Sequence, residues 1–264
     1  MNQKQPSLFL AHGSPMNAIE DNSFTQSLKK LSLNLAHEFS APRAILAISA
    51  HWLTTGTYLT SATRPRMIYD MYGFPEPLYQ VKYPAKGAPD LVTEIQALIT
   101  SPKILSDEEK WGLDHGTWSV LIHLFPRAQV PVIQLSIDLS QPLQFHLELG
   151  KQLGQLRQSG VLLMGSGNIV HNLRNFSWNE NETPFTWAQE FTNWFESQLK
   201  DKNYSALLND FNKTKVGQMS VPTLDHYIPL LYILGAADKA EQPNIEFSGI
   251  QNGSIAMTSF SFKG

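Results

Sequence analysis

The chain has 264 residues, 42% of them hydrophobic and 16% charged, with a net charge of −3 at neutral pH. That apolar content supports a sizeable core and excludes wholesale disorder, and the lack of any lysine/arginine cluster argues against nucleic acid or an anionic membrane as a partner. Cysteine is absent, which excludes disulfides, a thiolate nucleophile and thiolate-held metal; any metal site must use nitrogen and oxygen ligands.

The first residues, MNQKQPSLFLAHGSP, hold an apolar stretch too short for a signal-peptide core. No run approaches the roughly 18 apolar residues of a membrane span, so a cytoplasmic protein is expected. Residues 7–11 read as a buried strand, 23–39 as an amphipathic helix and 44–49 as a second buried strand. Residues 54–89 are irregular, broken by Pro65, Pro75, Pro77, Pro84 and Pro89, with five aromatics between positions 69 and 83. Such a stretch is either the wall or lid of a pocket or a packed surface excursion. Beyond it come a helix at 90–99, a strand at 131–137, a helix at 143–158, a strand at 161–164 and a helix at 187–199. The tail at 253–262 alternates small or polar with apolar residues and is expected to add an edge strand. Strand–helix alternation of this kind gives an α/β fold, a mainly parallel central sheet flanked by helices. A single catalytic domain over residues 7–262 is expected.

The chain has eight histidines. His12 and His51 each follow an apolar strand, and His171 comes just after the turn Gly165-Ser166-Gly167-Asn168. His115 and His226 each follow an aspartate at the expected start of a helix. Ligands of open α/β sheets bind beyond the carboxyl ends of the strands, so His12, His51 and His171 are expected to converge on one rim; the turn beside each of the five points to a metal or acid–base cluster. His37, His123 and His146 sit within helical patterns without a flanking turn and are expected to be ordinary structural residues. Neutral imidazole suits Zn, Fe, Cu and Ni. Three imidazoles leave open positions on an ion that takes five or six ligands, as a Lewis-acid or oxygen-activating site requires. A further histidine can move protons near neutral pH, since its unperturbed pKa is about 6.5.

Other motifs are weaker. Gly165-Ser166-Gly167-Asn168 lacks the third glycine of a dinucleotide loop, where Val170 stands. Gly13-Ser14-Pro15 is not a hydrolase elbow, and Ser14 is expected to cap the following turn. Asp114 and Asp225 can orient a neighbouring imidazole or cap a helix.

The strings LFLAHGSPMN (8–17), SAHW (49–52), YGFP (72–75), WGLDHGTW (111–118), QLSID (134–138), GSGNIVHN (165–172) and DHYIPL (225–230) occur together and span nearly the whole chain. In this order they resemble the DODA-type extradiol ring-cleavage dioxygenases of the LigB (class III) superfamily. The resemblance implies one divalent metal per chain, held by His12, His51 and His226, with His226 standing where the wider superfamily usually has glutamate. It implies that His171 is the general acid/base, which can also join the metal, and that His115 contacts substrate or oxygen. It implies a small aromatic diol such as L-DOPA and O2 as partners, with Fe2+ for activity and Zn2+ as the ion found on isolation. Two other readings of the same histidines remain: a zinc-dependent hydrolase that activates water, and a non-catalytic metal- or partner-binding protein on the same fold.

Overall fold

A computed structural model describes residues 3–264 of the chain. The elements in order are β1 (Ser7–Ala11), α1 (Ser23–Glu38), β2 (Ala44–Thr54), β3 (Thr57–Thr60), α2 (Glu76–Tyr79), α3 (Pro89–Leu98) and β4 (Ile104–Asp107). They continue with α4 (His115–Leu124), β5 (Val132–Asp138), α5 (Leu143–Leu153), β6 (Val161–Gly167), α6 (Thr186–Lys200), α7 (Tyr204–Asn209) and α8 (Lys215–Ser220). The last are α9 (Ile228–Ala236), β7 (Pro243–Phe247), β8 (Ile250–Gln251), β9 (Ile255–Ala256) and β10 (Ser259–Phe262).

An eight-stranded sheet runs in the order β4-β3-β5-β2-β6-β1-β10-β7. Its centre, β5-β2-β6-β1, is parallel, and the pairings of β3 with β5, β10 with β1 and β7 with β10 are antiparallel. Every residue of β1, β5 and β6 is buried, which is why these segments carry no polar alternation. Successive side chains still point to opposite faces. Phe9, Leu46 and Leu163 join the core beneath α5, α6 and α9, while Leu8, Leu10, Leu162 and Met164 join the one beneath α1 and α4. Helix α9 is buried along its whole length, so its sequence is apolar all round instead of striped. Helix α1 starts with a reciprocal cap between Asn22 and Thr25.

Three expectations are corrected. The second strand does not stop at residue 49 but runs to Thr54, and its register against β5 slips between Ile48 and Leu53. His51 therefore sits in a bulge inside a strand, a device that re-aims a side chain. The tail strand is not an edge: β10 lies between β1 and β7, with Phe260 packed on Phe9 at 5.2 Å between ring centroids. Its pleat buries both faces, and the edge falls to β7, which Pro243 opens. The helix expected at 143–158 ends at Leu153 and tightens into a 3-10 turn over Gly154–Ser159.

Candidate metal centre and active site

The carboxyl ends of β1, β2 and β6 carry the centre. His12 is the residue after β1, His51 leaves the sheet at the bulge, and His115 opens α4 behind the capping carboxylate of Asp114. His226 precedes α9 and is tied to the end of β6 by a hydrogen bond from Asn168 N to its carbonyl, 3.0 Å. His171 is held through its backbone, which donates to Ser220 O and bridges to Ile255. Two glycines permit this approach. A Cβ on Gly116 would stand 2.6 Å from Ser49 Oγ and 2.9 Å from His51 Cδ2, and one on Gly167 would stand 2.3 Å from the carbonyl oxygen of His226.

All five histidines singled out in the sequence converge. Ring centroids are 4.9 Å apart for His12–His51, 5.1 Å for His12–His226 and 5.2 Å for His51–His226. His115 lies 4.0 Å from His51 and 5.5 Å from His12, and His171 stacks on His226 at 3.5 Å, within 5° of parallel. Imidazoles that radiate from one ion at near-tetrahedral angles, with metal–nitrogen distances of about 2.0–2.1 Å, have centroids about 5 Å apart. The His12–His51–His226 triangle has those sides. The donor nitrogens within 4.8 Å of one another belong to His12, His51 and His115. That set includes His115, expected only to contact substrate, and leaves out His226, which completes the triangle of rings.

The outer nitrogens show how the rings are set. His12 Nδ1 lies 2.9 Å from Ser166 Oγ, whose own proton goes to the carbonyl of Gly116. The serine oxygen must therefore accept, which assigns the His12 proton to Nδ1 and leaves Nε2 a bare lone pair. His226 Nδ1 lies 2.6 Å from Asp225 Oδ2, with the same consequence, and His51 Nδ1 lies 3.1 Å from Asp70 Oδ2, which draws a proton to that nitrogen. His12 Nε2 and His51 Nε2 then lie 3.1 Å apart. That is hydrogen-bond distance when His51 carries a proton on Nε2, and ligand–ligand spacing when one ion takes that proton's place. The residues present therefore fit a divalent metal of the imidazole-preferring kind.

The electrostatics agree. Burial, reinforced by the neighbouring rings, holds His12 well below the ordinary histidine pKa. Burial is also the main cause of the lowering at His226, His115 and His171. These rings are neutral at pH 7, the form that binds metal or accepts a proton. His51 is also pushed down by burial, but Asp70, Asp114 and Asp225 outweigh it and raise its pKa.

The capping and orienting roles weighed for Asp114 and Asp225 are both realised. Asp114 accepts from Thr117 N, Ser49 Oγ, Gln134 Nε2 and Trp111 Nε1, and Asp225 holds His226. Ser14 caps its turn. His37 is exposed, His123 meets Asn17 O, and His146 packs against Tyr232. Gly165–Gly167 belongs to β6, with no helix directly after it, so no phosphate loop forms. Sequence reasoning missed Asp70 and Ser166. Asp70 lies in the irregular segment 54–89, whose aromatics mostly pack: Tyr69 on Trp118 at 5.7 Å, and Tyr83 buried, with Tyr72 exposed. Its signal was an aspartate directly after Tyr69, at the head of those aromatics.

Residues 6–261 match the family described as the catalytic LigB subunit of aromatic ring-opening dioxygenase. The chain belongs to this family. It is 43% identical to a 4,5-DOPA dioxygenase extradiol of Escherichia coli (strain K12), with 97% of this chain and 94% of that protein aligned. It is 34% identical to the 4,5-DOPA dioxygenase extradiol of Beta vulgaris, with 96% and 95% aligned. The crystal structure of an uncharacterized protein from Escherichia coli K12 superposes with a TM-score of 0.84 at 39% identity, covering 98% of this chain and 100% of that one. The chain is thus a LigB-type ring-opening dioxygenase, an oxidoreductase on a single α/β domain.

Proposed function

We propose that residues 7–262 form one catalytic unit that opens the ring of a catechol beside its diol. L-DOPA is the first candidate substrate, given the names of the relatives. One divalent metal would be held by His12, His51 and His226. The observation that carries this reading is the 3.1 Å approach of His12 Nε2 to His51 Nε2 within a near-equilateral triangle of rings that His226 completes. His226 is preferred over His115 as the third ligand because its ring completes the near-equilateral triangle. His115 lies at 4.0 Å beside His51, too close for two imidazoles spread around one ion.

A metal bound there would supply Lewis acidity toward the diol and, as Fe2+, the redox coupling of catechol to O2. Zn2+ has no redox chemistry and would occupy the same nitrogens without turnover. His171, neutral and not anchored by any ring hydrogen bond among the described residues, would accept a catechol proton. Its depressed pKa means it holds that proton only while an anion is close, then returns it. Its stacking on His226 keeps it beside the ligand set without using a ring nitrogen. His115 would donate to negative charge developing on oxygen. Both atoms of O2 enter the product, one carbon–carbon bond is broken, and a ring-opened semialdehyde results. The reaction would need no other partner, and a cytoplasmic setting is consistent with it.

His171→Ala is the separating experiment. The variant should keep its metal and lose turnover by at least about 100-fold. Loss of bound metal would make His171 chiefly a ligand, and unchanged turnover would remove it from the mechanism.

A further inference from the structure

Among the described residues, Asp70 is the carboxylate with ion-pair contacts to two of the five site histidines. Its Oδ2 lies 3.1 Å from His51 Nδ1 and its Oδ1 lies 3.0 Å from His115 Nδ1. Oδ1 also accepts from the backbone N–H of His115 at 3.0 Å, at the first turn of α4. The contact with the His115 ring is one of charge and proximity, not a hydrogen bond; the hydrogen bond to this oxygen comes from the backbone. The side chain is only 17% exposed.

The chain around Asp70 is pinned to the start of α4. Leu113 N donates to Arg66 O at 2.8 Å and Ile68 N to Leu113 O at 2.7 Å, forming a short parallel bridge. Trp118 Nε1 donates to Ile68 O at 3.0 Å. The proline-broken segment is therefore stitched to the helix that carries His115. Its carboxylate then crosses to the bulge of β2 that carries His51. A loop held this way at backbone level presents its side chain as reproducibly as a strand does.

We propose that Asp70 is a positioning residue that joins the metal-ligand histidine His51 and the substrate-facing histidine His115 into one unit. Shared between the two residues, it faces His51 Nδ1 with one oxygen and holds the backbone N–H of His115 with the other, beside that ring's Nδ1. It sets the angle of His115 relative to the ion through His51. The segment that carries Asp70 therefore sets the geometry of the site, so a change in the loop is felt at the metal and at the substrate together. This rests on the ligand and substrate roles proposed above.

The test compares wild type, Asp70→Asn, His115→Ala and the double variant. Zn2+ affinity is measured by chelator competition, and kcat and KM for a catechol by oxygen uptake after Fe2+ loading. Asp70→Asn should weaken Zn2+ binding by about 10–100-fold, as loss of a carboxylate behind a ligating histidine typically does. At saturating Fe2+ it should also lower kcat. Because it acts there through His115, the double variant should have the kcat of His115→Ala alone. Wild-type Zn2+ affinity in Asp70→Asn, or kcat losses that multiply in the double variant, would overturn the proposal. Should Asp70→Asn melt early as apoprotein, Asp70→Glu takes its place, since it moves the carboxylate by one methylene; the same outcomes decide. A wild type that binds Zn2+ but never consumes oxygen would defeat the dioxygenase reading, while the zinc comparison still judges the hold of Asp70 on His51.

Discussion

A histidine ring offers a metal its lone pair only on the nitrogen that lacks the proton, so the partner of the other nitrogen decides whether it can be a ligand. Ser166, Asp70 and Asp225 make that choice for His12, His51 and His226. Ser166 is the subtlest of them. Its hydroxyl has one proton, already given to Gly116 O, so it can only accept from His12. Ser166→Ala removes that acceptor without changing any ligand. It should weaken metal binding by about 10-fold or more, read by chelator competition, with an unchanged fold by circular dichroism. Affinity equal to wild type would mean that the His12 ring is set by packing alone. His12→Ala and His51→Ala should lower metal content outright, and retained stoichiometric metal in either would contradict their assignment.

At the scale of elements, the site depends on how closely strand ends, a helix start and a loop approach one another. Gly167 ends β6 against the carbonyl of His226, where a methyl group would meet an oxygen at 2.3 Å. That oxygen belongs to backbone and cannot turn aside. Gly167→Ala should therefore cost about 1–3 kcal/mol of stability and reduce metal affinity as His226 is displaced; denaturant unfolding and metal titration check the two effects. A neutral result in both would show that the turn into α9 is softer than its packing implies. The same scale explains what the sequence revealed and what it hid. His12 and the end of β1 were legible, because a uniformly apolar run followed by histidine and glycine marks a buried strand entering a rim. His51 was legible as a site residue, but its bulge was not: the register slip between Ile48 and Leu53 leaves no apolar pattern. Asp70 was hidden because its role arises from the bridge between Met67 and Leu113, a pairing of two irregular segments that no local period announces. The tail looked like an edge strand because small and polar residues alternate there. Ser259 and Ser261 are nonetheless buried, with hydroxyls satisfied by Ala11 N and Glu246.

Across the whole molecule, the end of the sheet opposite the histidines is closed by a buried ion pair. Arg157, fully buried, donates to Gln5 O, Ala236 O and Phe262 O and meets both carboxylate oxygens of Glu241. It thereby ties together the entry to β1, the end of α9 and the end of β10. Burial alone would raise the Glu241 pKa, but Arg157 and Lys4 bring it down to about 2 from an ordinary 4.5. A carboxylate depressed in the folded state binds fewer protons than in the unfolded chain. Its contribution is therefore complete above about pH 4.5 and is lost as pH falls toward 2. Wild type should lose stability through that window more steeply than Glu241→Gln, measured by urea unfolding at each pH. Arg157→Ala should destabilise by about 3–5 kcal/mol, since it strands a buried carboxylate. Parallel pH profiles for wild type and Glu241→Gln would show that the pair adds nothing.

Of the five histidines gathered at the sheet's carboxyl rim, three would hold one metal and two would serve the catechol and O2 as the ring opens. Protein loaded anaerobically with Fe2+ and mixed with L-DOPA in an oxygen electrode tests this most directly. One O2 should be consumed per catechol, with a yellow ring-opened product, and the Zn2+-loaded protein should consume none. No oxygen uptake across a panel of catechols, or oxygen-independent turnover by the zinc form, would contradict the account.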